Sequence, residues 1–300
     1  MKNIKFNKVG KLLMITIKKW YDHDPFREGA IIAYNAIFAI PGLLVVVITF
    51  AGYFFGDDAV SGHLHEQLAS VMGTDIADQI QKMIVMSLKS KDSVIATIIG
   101  ISTIIIGATA VFVELQKTLN NIWGVKVSGT KSDLWMFIKT RLFSFGLIIS
   151  IAFLLLISLV LSSLLSAIGS WVQQYWSESF LILFKVLNTI FSLAIITSLF
   201  ALMFKILPDA RIKWPSVWIG AFVTSFLFVI GKSALGLYFG KANPGSGYGA
   251  AGSIILILIW TSYSSMIVFF GAEFTKTYSD YYFGEIPPSE NAVKTKPPRV

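Results

Sequence analysis

The sequence predicts an all-α integral membrane protein of six transmembrane helices, with amphipathic helices at the membrane surfaces and both termini in the cytoplasm. Of its 300 residues, 55% are hydrophobic and only 14% are charged, and the mean hydropathy is +0.70. Soluble domains carry about 25% charged residues. Six apolar runs reach the roughly 20 residues that cross a bilayer. This composition therefore favours a polytopic membrane protein.

Residues 1–29 form the predicted N-terminal cytoplasmic segment, in which lysine alternates with apolar residues. Val9, Leu12, Leu13 and Trp20 can share one helical face, and the lysines fall on other faces. Such a helix lies on anionic lipid headgroups, so membrane lipids are the predicted partner. The alternative is a solvated helix packed on the protein's own loops. We expect no signal peptide, because the apolar piece LLMITI is too short.

The transmembrane domain is predicted over residues 30–276. Its spans are the apolar runs 30–55, 93–113, 141–168, 181–204, 215–239 and 250–274. Pro41 and Gly42 predict a kink in the first span, with a candidate gating role. Pro215 suits the first turn of the fifth helix.

Two segments outside the spans have a distinct composition. Residues 56–92 place apolar side chains at helical spacing, which predicts one or two amphipathic helices on the extracytoplasmic side. Residues 277–300 form a predicted cytoplasmic tail. The part after Phe283 holds four prolines and mixed charge, so we expect disorder there.

The basic residues indicate the orientation of the chain. With the N-terminus inside, 19 of the 25 Lys and Arg residues lie in cytoplasmic segments. The outer loops hold four, Lys82, Lys89, Lys91 and Lys241. This asymmetry follows the positive-inside rule and predicts that both termini lie in the cytoplasm. It also explains the net charge of +8 without a nucleic-acid partner.

The sequence argues against an enzyme and against a bound metal or cofactor. There is no cysteine and there are only three histidines, of which His63 and His65 form HLHE in the outer loop. A weak metal site there is the alternative to a solvated pair. Gly231-Lys232-Ser233 lacks the earlier glycine of a phosphate-binding loop, because Phe226 takes that position. We therefore predict no catalytic residues.

Polar residues within predicted spans are candidates for binding a solute, because burying them in lipid is costly. Asn35 can bond a neighbouring helix or the carbonyls freed by the kink. Lys232 either serves function or extends its ammonium to the interface. Gly236 and Gly240 fit a small-xxx-small packing face. The glycine-rich residues 243–252 form either a flexible gate or a tight hairpin, which we favour.

An E-x-x-K-T motif ends both the second and the sixth predicted span. Its glutamates are Glu114 and Glu273, each followed by a lysine on the same face. A carboxylate opposes the dipole of a helix C-terminus and needs a partner. Candidate partners are Lys117, Lys276, Arg141 and Arg211. Either these residues form a ring of structural ion pairs, or they line a vestibule that binds a headgroup, a solute or a proton.

Several blocks resemble the YihY/BrkB family of bacterial inner-membrane proteins. They are AYNAIFAIPGLLVVV, VFVELQKTLNNIWGV, LPDARIKWPSVWIGAFVTSFLF, GKSALGLYFG and YGAAGSIILILIWTSYSSMIVFFGAEFT, spread over about residues 20–280. The resemblance implies six spans and cytoplasmic termini, and members look like transporters. Many also bear the label ribonuclease BN. The sparse histidines argue against such a zinc nuclease.

We therefore expect a transporter or translocator of an amphiphilic or charged solute or lipid, without its own ATPase. The alternative is a non-transporting envelope scaffold or assembly factor. The sequence leaves homo-oligomerisation open.

Overall fold

The computed structural model describes residues 6–39, 94–128, 178–242, 244–245, 247–248, 252–290 and 292–295, together with 65, 66, 69, 74, 77, 78 and 80–82. These residues form six continuous helices and one two-stranded sheet. The helices are α1 (Phe6–Asp22), α2 (25–39), α3 (Val94–Trp123), α4 (Glu178–Ile206), α5 (Trp214–Ala242) and α6 (Gly252–Phe283). The strands are β1 (Val125–Val127) and β2 (Ala292–Lys294).

Four predicted spans fall on helices α3, α4, α5 and α6. Within the described residues, three helical stretches are long and apolar enough to cross a membrane, namely Thr189–Ile206, Trp214–Ala242 and Ile254–Phe283. Helix α2 covers the start of the first predicted span. Pro41, Gly42, Arg141 and the third predicted span lie outside the described residues. The structure is mostly helical, as the hydropathy pattern predicted.

Helices α3 and α6 extend well beyond the apolar runs that predicted them. Helix α3 continues to Trp123 and stops at Gly124, whose φ of 68° is the left-handed conformation that ends many helices. Helix α6 continues to Phe283 and stops at Gly284, with a φ of 81°. Glu114 and Glu273 are therefore more than two turns inside their helices. The predicted conflict with the helix dipole was wrong, because the dipole acts within the last turn.

The chain divides into two compact units. Unit 1 comprises Met1–Leu13, Leu119–Phe226 and Gly271–Val300, and unit 2 comprises Met14–Thr118 and Leu227–Phe270.

Unit 1 contains a reciprocal contact between α5 and α6. A Cβ placed on Gly220 would lie 1.7 Å from Thr275 Oγ1, and one on Gly271 would lie 1.8 Å from Thr224 Oγ1. Each threonine donates a hydrogen bond to the carbonyl of the glycine on its own helix, at 2.7 Å. The threonine hydroxyls are thus satisfied locally, and only glycine leaves room for them.

The sheet of unit 1 joins the end of α3 to the C-terminal tail. Strands β1 and β2 are antiparallel, with Lys126 opposite Val293. The Thr295 amide donates to the Gly124 carbonyl at 3.0 Å. The prediction of disorder after Phe283 was therefore wrong for residues 284–290 and 292–295, because main-chain hydrogen bonds to other segments order them.

Unit 2 packs α1 and α2 against α6. Trp20 Nε1 donates to the Met266 carbonyl at 3.1 Å. A Cβ on Gly29 would lie 2.9 Å from the Ser262 carbonyl oxygen, so glycine allows α2 this close approach. Gly245 and Gly252 bring their backbones together, since a Cβ on Gly252 would be 2.4 Å from the Gly245 carbonyl oxygen. That contact agrees with the hairpin favoured for residues 243–252.

Two packing faces differ from those predicted. On α1, Leu12 is buried and Trp20 bonds to Met266, so these residues face the protein rather than lipid. On α5, no described atom lies within 4 Å of a Cβ at Gly236 or Gly240. The predicted small-xxx-small face is therefore not a contact between the described helices. Sequence spacing defines a face but does not identify what the face contacts.

Candidate functional site

Glu273 is the most deeply buried acidic residue that the structure describes. It lies within α6 and is 0% exposed. Gly271 and Thr275, on either side, face α5. Successive residues of an α-helix are about 100° apart, so Glu273 points away from the α5 contact. A carboxylate buried within a helix this apolar marks the candidate site.

Lys276 lies one turn after Glu273 and ties α6 to the end of α3. Its Nζ donates to the Ile122 carbonyl at 2.6 Å. That carbonyl belongs to the last turn of α3, where a cation is favoured by the helix dipole and by the free carbonyl groups. The second E-x-x-K-T motif thus supplies a buried acid and an interhelical cation.

Two buried polar side chains are close to this link in the sequence. Trp123 and Thr277 are 3% and 5% exposed. The indole Nε1 and the Thr277 hydroxyl have no hydrogen-bond partner among the described residues. Buried polar atoms are normally paired, so unpaired ones need an explanation. Glu273, Thr277 and Trp123 are thus three buried polar side chains of unit 1.

The first E-x-x-K-T motif, in unit 2, is arranged differently. Lys117 Nζ lies 3.0 Å from Glu114 Oε1, and the lysine side chain is 71% exposed. Thr118 donates to Glu28 Oε2 at 2.9 Å. Glu114 therefore has a local partner of the kind predicted, and the threonine of the motif bonds to another helix.

Glu28 is a buried carboxylate that the sequence analysis missed. It is 9% exposed and also accepts a hydrogen bond from Arg27 at 2.9 Å. That bond raises the pKa of Arg27, with smaller contributions from the charges of Glu28, Asp24 and Glu114. A signal was present, since Glu28 is an acid immediately before the first apolar run.

A second pairing that the sequence analysis missed joins α3 to the connection between α4 and α5. Asn120 Nδ2 donates to Asp209 Oδ2, and the Asp209 amide donates to Asn120 Oδ1, both at 2.8 Å. Asn120 lies in the block VFVELQKTLNNIWGV and Asp209 in LPDARIKWPSVWIGAFVTSFLF, but the sequence analysis did not single out either residue. Arg211, a predicted partner for the motif glutamates, instead pairs with the exposed Glu290 at 2.7 Å.

Of the remaining predicted site residues, the structure describes Asn35 and Lys232. Asn35 is half-buried and donates to the Ile31 carbonyl of its own helix at 3.0 Å, rather than to a neighbouring helix. Lys232 is half-buried on α5. Arg141, Pro41 and Gly42 lie outside the described part of the chain. Their roles stay predictions.

The outer-loop histidines are described only in part. His65 Nε2 lies 3.4 Å from Asp78 Oδ1, and His63 is not described. Within the described residues, no three His, Asp or Glu side chains are grouped to hold a metal ion.

Comparisons with known proteins extend over most of the chain. A family model described as "Virulence factor BrkB" matches residues 16–296. A UPF0761 membrane protein from Tolumonas auensis is 27% identical over 268 residues, which cover 87% of this chain and 83% of the relative. One from Pseudoalteromonas atlantica is 24% identical over 259 residues, covering 85% and 81%.

A longer relative, a UPF0761 membrane protein from Saccharophagus degradans, is 22% identical over 273 residues, which cover 91% of this chain and 60% of the relative. No solved structure matches the chain. The matched region contains both E-x-x-K-T motifs, the Asn120–Asp209 pair and the ordered tail. The chain is a membrane protein and belongs to the virulence factor BrkB family.

Proposed function

We propose that the chain is a six-span protein of the bacterial inner membrane that translocates an amphiphilic or charged solute or lipid. Its termini are cytoplasmic, it has no ATPase of its own, and it is not an enzyme. The distribution of basic residues supports the orientation. Three apolar helical stretches and bacterial relatives that are membrane proteins support the membrane location.

The burial of Glu273 is the observation that carries the transport proposal. Glu273 is 0% exposed within the apolar stretch Ile254–Phe283. A helix that served only as a scaffold needs no carboxylate at such a position, because desolvating one is costly. Acidic residues inside membrane helices typically bind a cation, a charged headgroup or a proton. Lys276 adds a basic group on the same helix, which suits a substrate with both charges.

A scaffold function is the second candidate, and different residues favour it. Glu114 pairs with the lysine one turn away, and Glu28 is held by Thr118 and Arg27. The Thr118–Glu28 contact ties α3 to α2, the other two contacts lie within one helix, and none of them needs a substrate. In a scaffold, the buried polar groups would stabilise one arrangement of the helices and would not take part in transport.

The experiment uses purified protein in liposomes that contain a fluorescent phosphatidylglycerol or phosphatidylethanolamine. Dithionite bleaches the outer leaflet, and bleaching of inner-leaflet lipid reports translocation. Glu273→Gln, which keeps the shape and removes the charge, should slow translocation by about tenfold or more, equivalent to about 1.4 kcal/mol in the barrier. The matched control is Glu114→Gln, because its glutamate has the same motif and a local partner.

Thermal unfolding of the same samples separates the two candidate functions. Loss of translocation at an unchanged melting temperature supports a direct role for Glu273. Unfolding of Glu273→Gln together with Glu114→Gln would make the carboxylates structural. No lipid movement above that of protein-free liposomes would remove the proposal for these lipids. RNA cleavage by a zinc-loaded, contaminant-free preparation would contradict the non-enzymatic assignment.

A further inference from the structure

Helix α1 presents an apolar strip that is largely exposed in the described part of the chain. Met14 is 76% exposed, Tyr21 67% and Ile17 54%. Spacings of three and four residues place these side chains on one face. The opposite face packs on the protein, with Thr16 fully buried and Trp20 bonded to the Met266 carbonyl. Because the opposite face of α1 packs on the protein, the apolar strip faces outward.

Positive charge borders the strip on one side. Lys11 and Lys18 are both exposed and lie seven residues apart, so they share the flank next to Met14. The whole helix carries four lysines and one aspartate. An apolar strip beside a lysine flank is complementary to the boundary between acyl chains and anionic headgroups.

Two features indicate that α1 lies on the membrane rather than across it. Four lysines in 17 residues are too many for a spanning helix of this length. The chain also turns immediately after α1, where Asp24 has a φ of 47° before α2 begins. Trp20 anchors α1 to α6, with ring centroids of Trp20 and Phe270 6.0 Å apart.

We infer that the outward face of α1, formed by Met14, Ile17 and Tyr21 with Lys11 and Lys18, docks on an anionic lipid bilayer. A second copy of the chain is a poorer occupant, because two lysine flanks would meet across a two-fold axis and repel each other. This inference depends on the membrane location and is independent of transport. It replaces the face predicted from the sequence, which contained Leu12 and Trp20.

The absence of cysteine from the sequence allows a direct test with single spin labels. Met14→Cys and Ile17→Cys are labelled in the full-length protein and placed in nanodiscs of phosphatidylcholine alone or mixed with phosphatidylglycerol. Asp22→Cys is the matched control on the charged side of the same helix. Power saturation then compares collisions of each label with oxygen, which enters lipid, and with a water-soluble nickel complex.

In anionic nanodiscs, the ratio of oxygen to nickel collisions at positions 14 and 17 should exceed that at position 22 several-fold. Exchanging Lys11→Glu and Lys18→Glu should reduce this excess, and so should neutral lipid. The inference would be overturned if the nickel complex reached the labels at 14 and 17 as readily as the label at 22 in both lipids. A second copy of the chain would be identified instead by two results together. The labels would be protected from nickel whatever the lipid charge, and their spin–spin broadening would disappear on dilution with unlabelled protein.

Thermal unfolding of each labelled protein excludes misfolding as the cause. A variant that unfolds early is replaced by Tyr21→Cys, which tests the same strip. None of these measurements requires a transported substrate. A failed translocation assay and a failed docking assay are therefore distinguishable.

Discussion

At the scale of single residues, one short motif produces two different arrangements. Thr118 donates across 90 positions of sequence to the buried Glu28, whereas Lys117 pairs with Glu114 in the same helix. The first contact satisfies a buried carboxylate and the second joins a partly exposed pair. Losing a donor to a buried charge costs far more than losing an exposed ion pair.

Thr118→Val should therefore destabilise the protein by about 1–3 kcal/mol, because it keeps the side-chain shape and removes the donor to Glu28. Lys117→Ala, the control from the same motif, should cost about 0–1 kcal/mol. Denaturant unfolding in detergent measures both. Equal losses for the two variants would contradict the difference in burial on which this prediction depends.

At the scale of elements, glycines decide how closely helices approach. Gly220 and Gly271 contact Thr275 and Thr224, whereas no described atom lies within 4 Å of a Cβ at Gly236. An added methyl group costs free energy only where another atom already occupies its position. We therefore expect a glycine-to-alanine change on α5 to lower stability at position 220 and to raise it at position 236.

Gly220→Ala should destabilise unit 1 by about 1–3 kcal/mol through overpacking against Thr275. Gly236→Ala should instead stabilise α5 by about 0.5–1 kcal/mol, since alanine loses less backbone entropy in a helix. Combining Gly220→Ala with Thr275→Gly should recover part of the loss, because the hydroxyl that blocks the methyl group is gone. Melting temperatures measure the stability of all three variants. A double variant no more stable than Gly220→Ala alone would contradict a direct contact between residues 220 and 275.

The ordered tail is the second feature at this scale. Lys294 donates a hydrogen bond to Glu285, and this lowers the pKa of the Glu285 carboxyl below its ordinary 4.5. A lowered carboxyl pKa in the ordered state stabilises that state above the ordinary pKa. The contribution is lost as the pH falls through the lower value.

Release of the tail should therefore increase as the pH falls below about 4.5. The distance between spin labels on Lys126→Cys and Val293→Cys, which lie opposite each other in the sheet, measures it. Adding Glu285→Gln should remove this part of the pH dependence. A short distance at every pH, with or without that substitution, would show that the pair contributes nothing.

At the scale of the whole molecule, the orientation of the chain is the central open prediction. Single cysteines at Lys126 and Val293 should be protected from a membrane-impermeant maleimide in intact spheroplasts. Cysteines at Glu66 and Gly247 should react. The reason is that the basic segments remain inside. Reaction at Lys126 in intact spheroplasts, or protection at Gly247 that is lost when the membrane is permeabilised, would contradict the six-span topology.

The sequence by itself determined the class of this protein and its family. Apolar runs long enough to cross a bilayer are local properties, and three of the predicted spans appear as apolar helical stretches. The family resemblance, confirmed over residues 16–296, rests on the order of sequence blocks. Both depend on composition along the chain, which needs no knowledge of contacts.

Only the tertiary structure decided where helices end, which faces pack and which residues pair. Helix α3 runs past its apolar run to Gly124, and β2 orders a tail whose composition predicted disorder. Lys276 reaches Ile122 across 154 positions, and Thr118 reaches Glu28 across 90. Glu114 and Glu273 begin two copies of the same motif, but of the two only Glu273 is fully buried. The physical reason is that burial and pairing depend on neighbours distant in sequence, and helical spacing specifies only a direction.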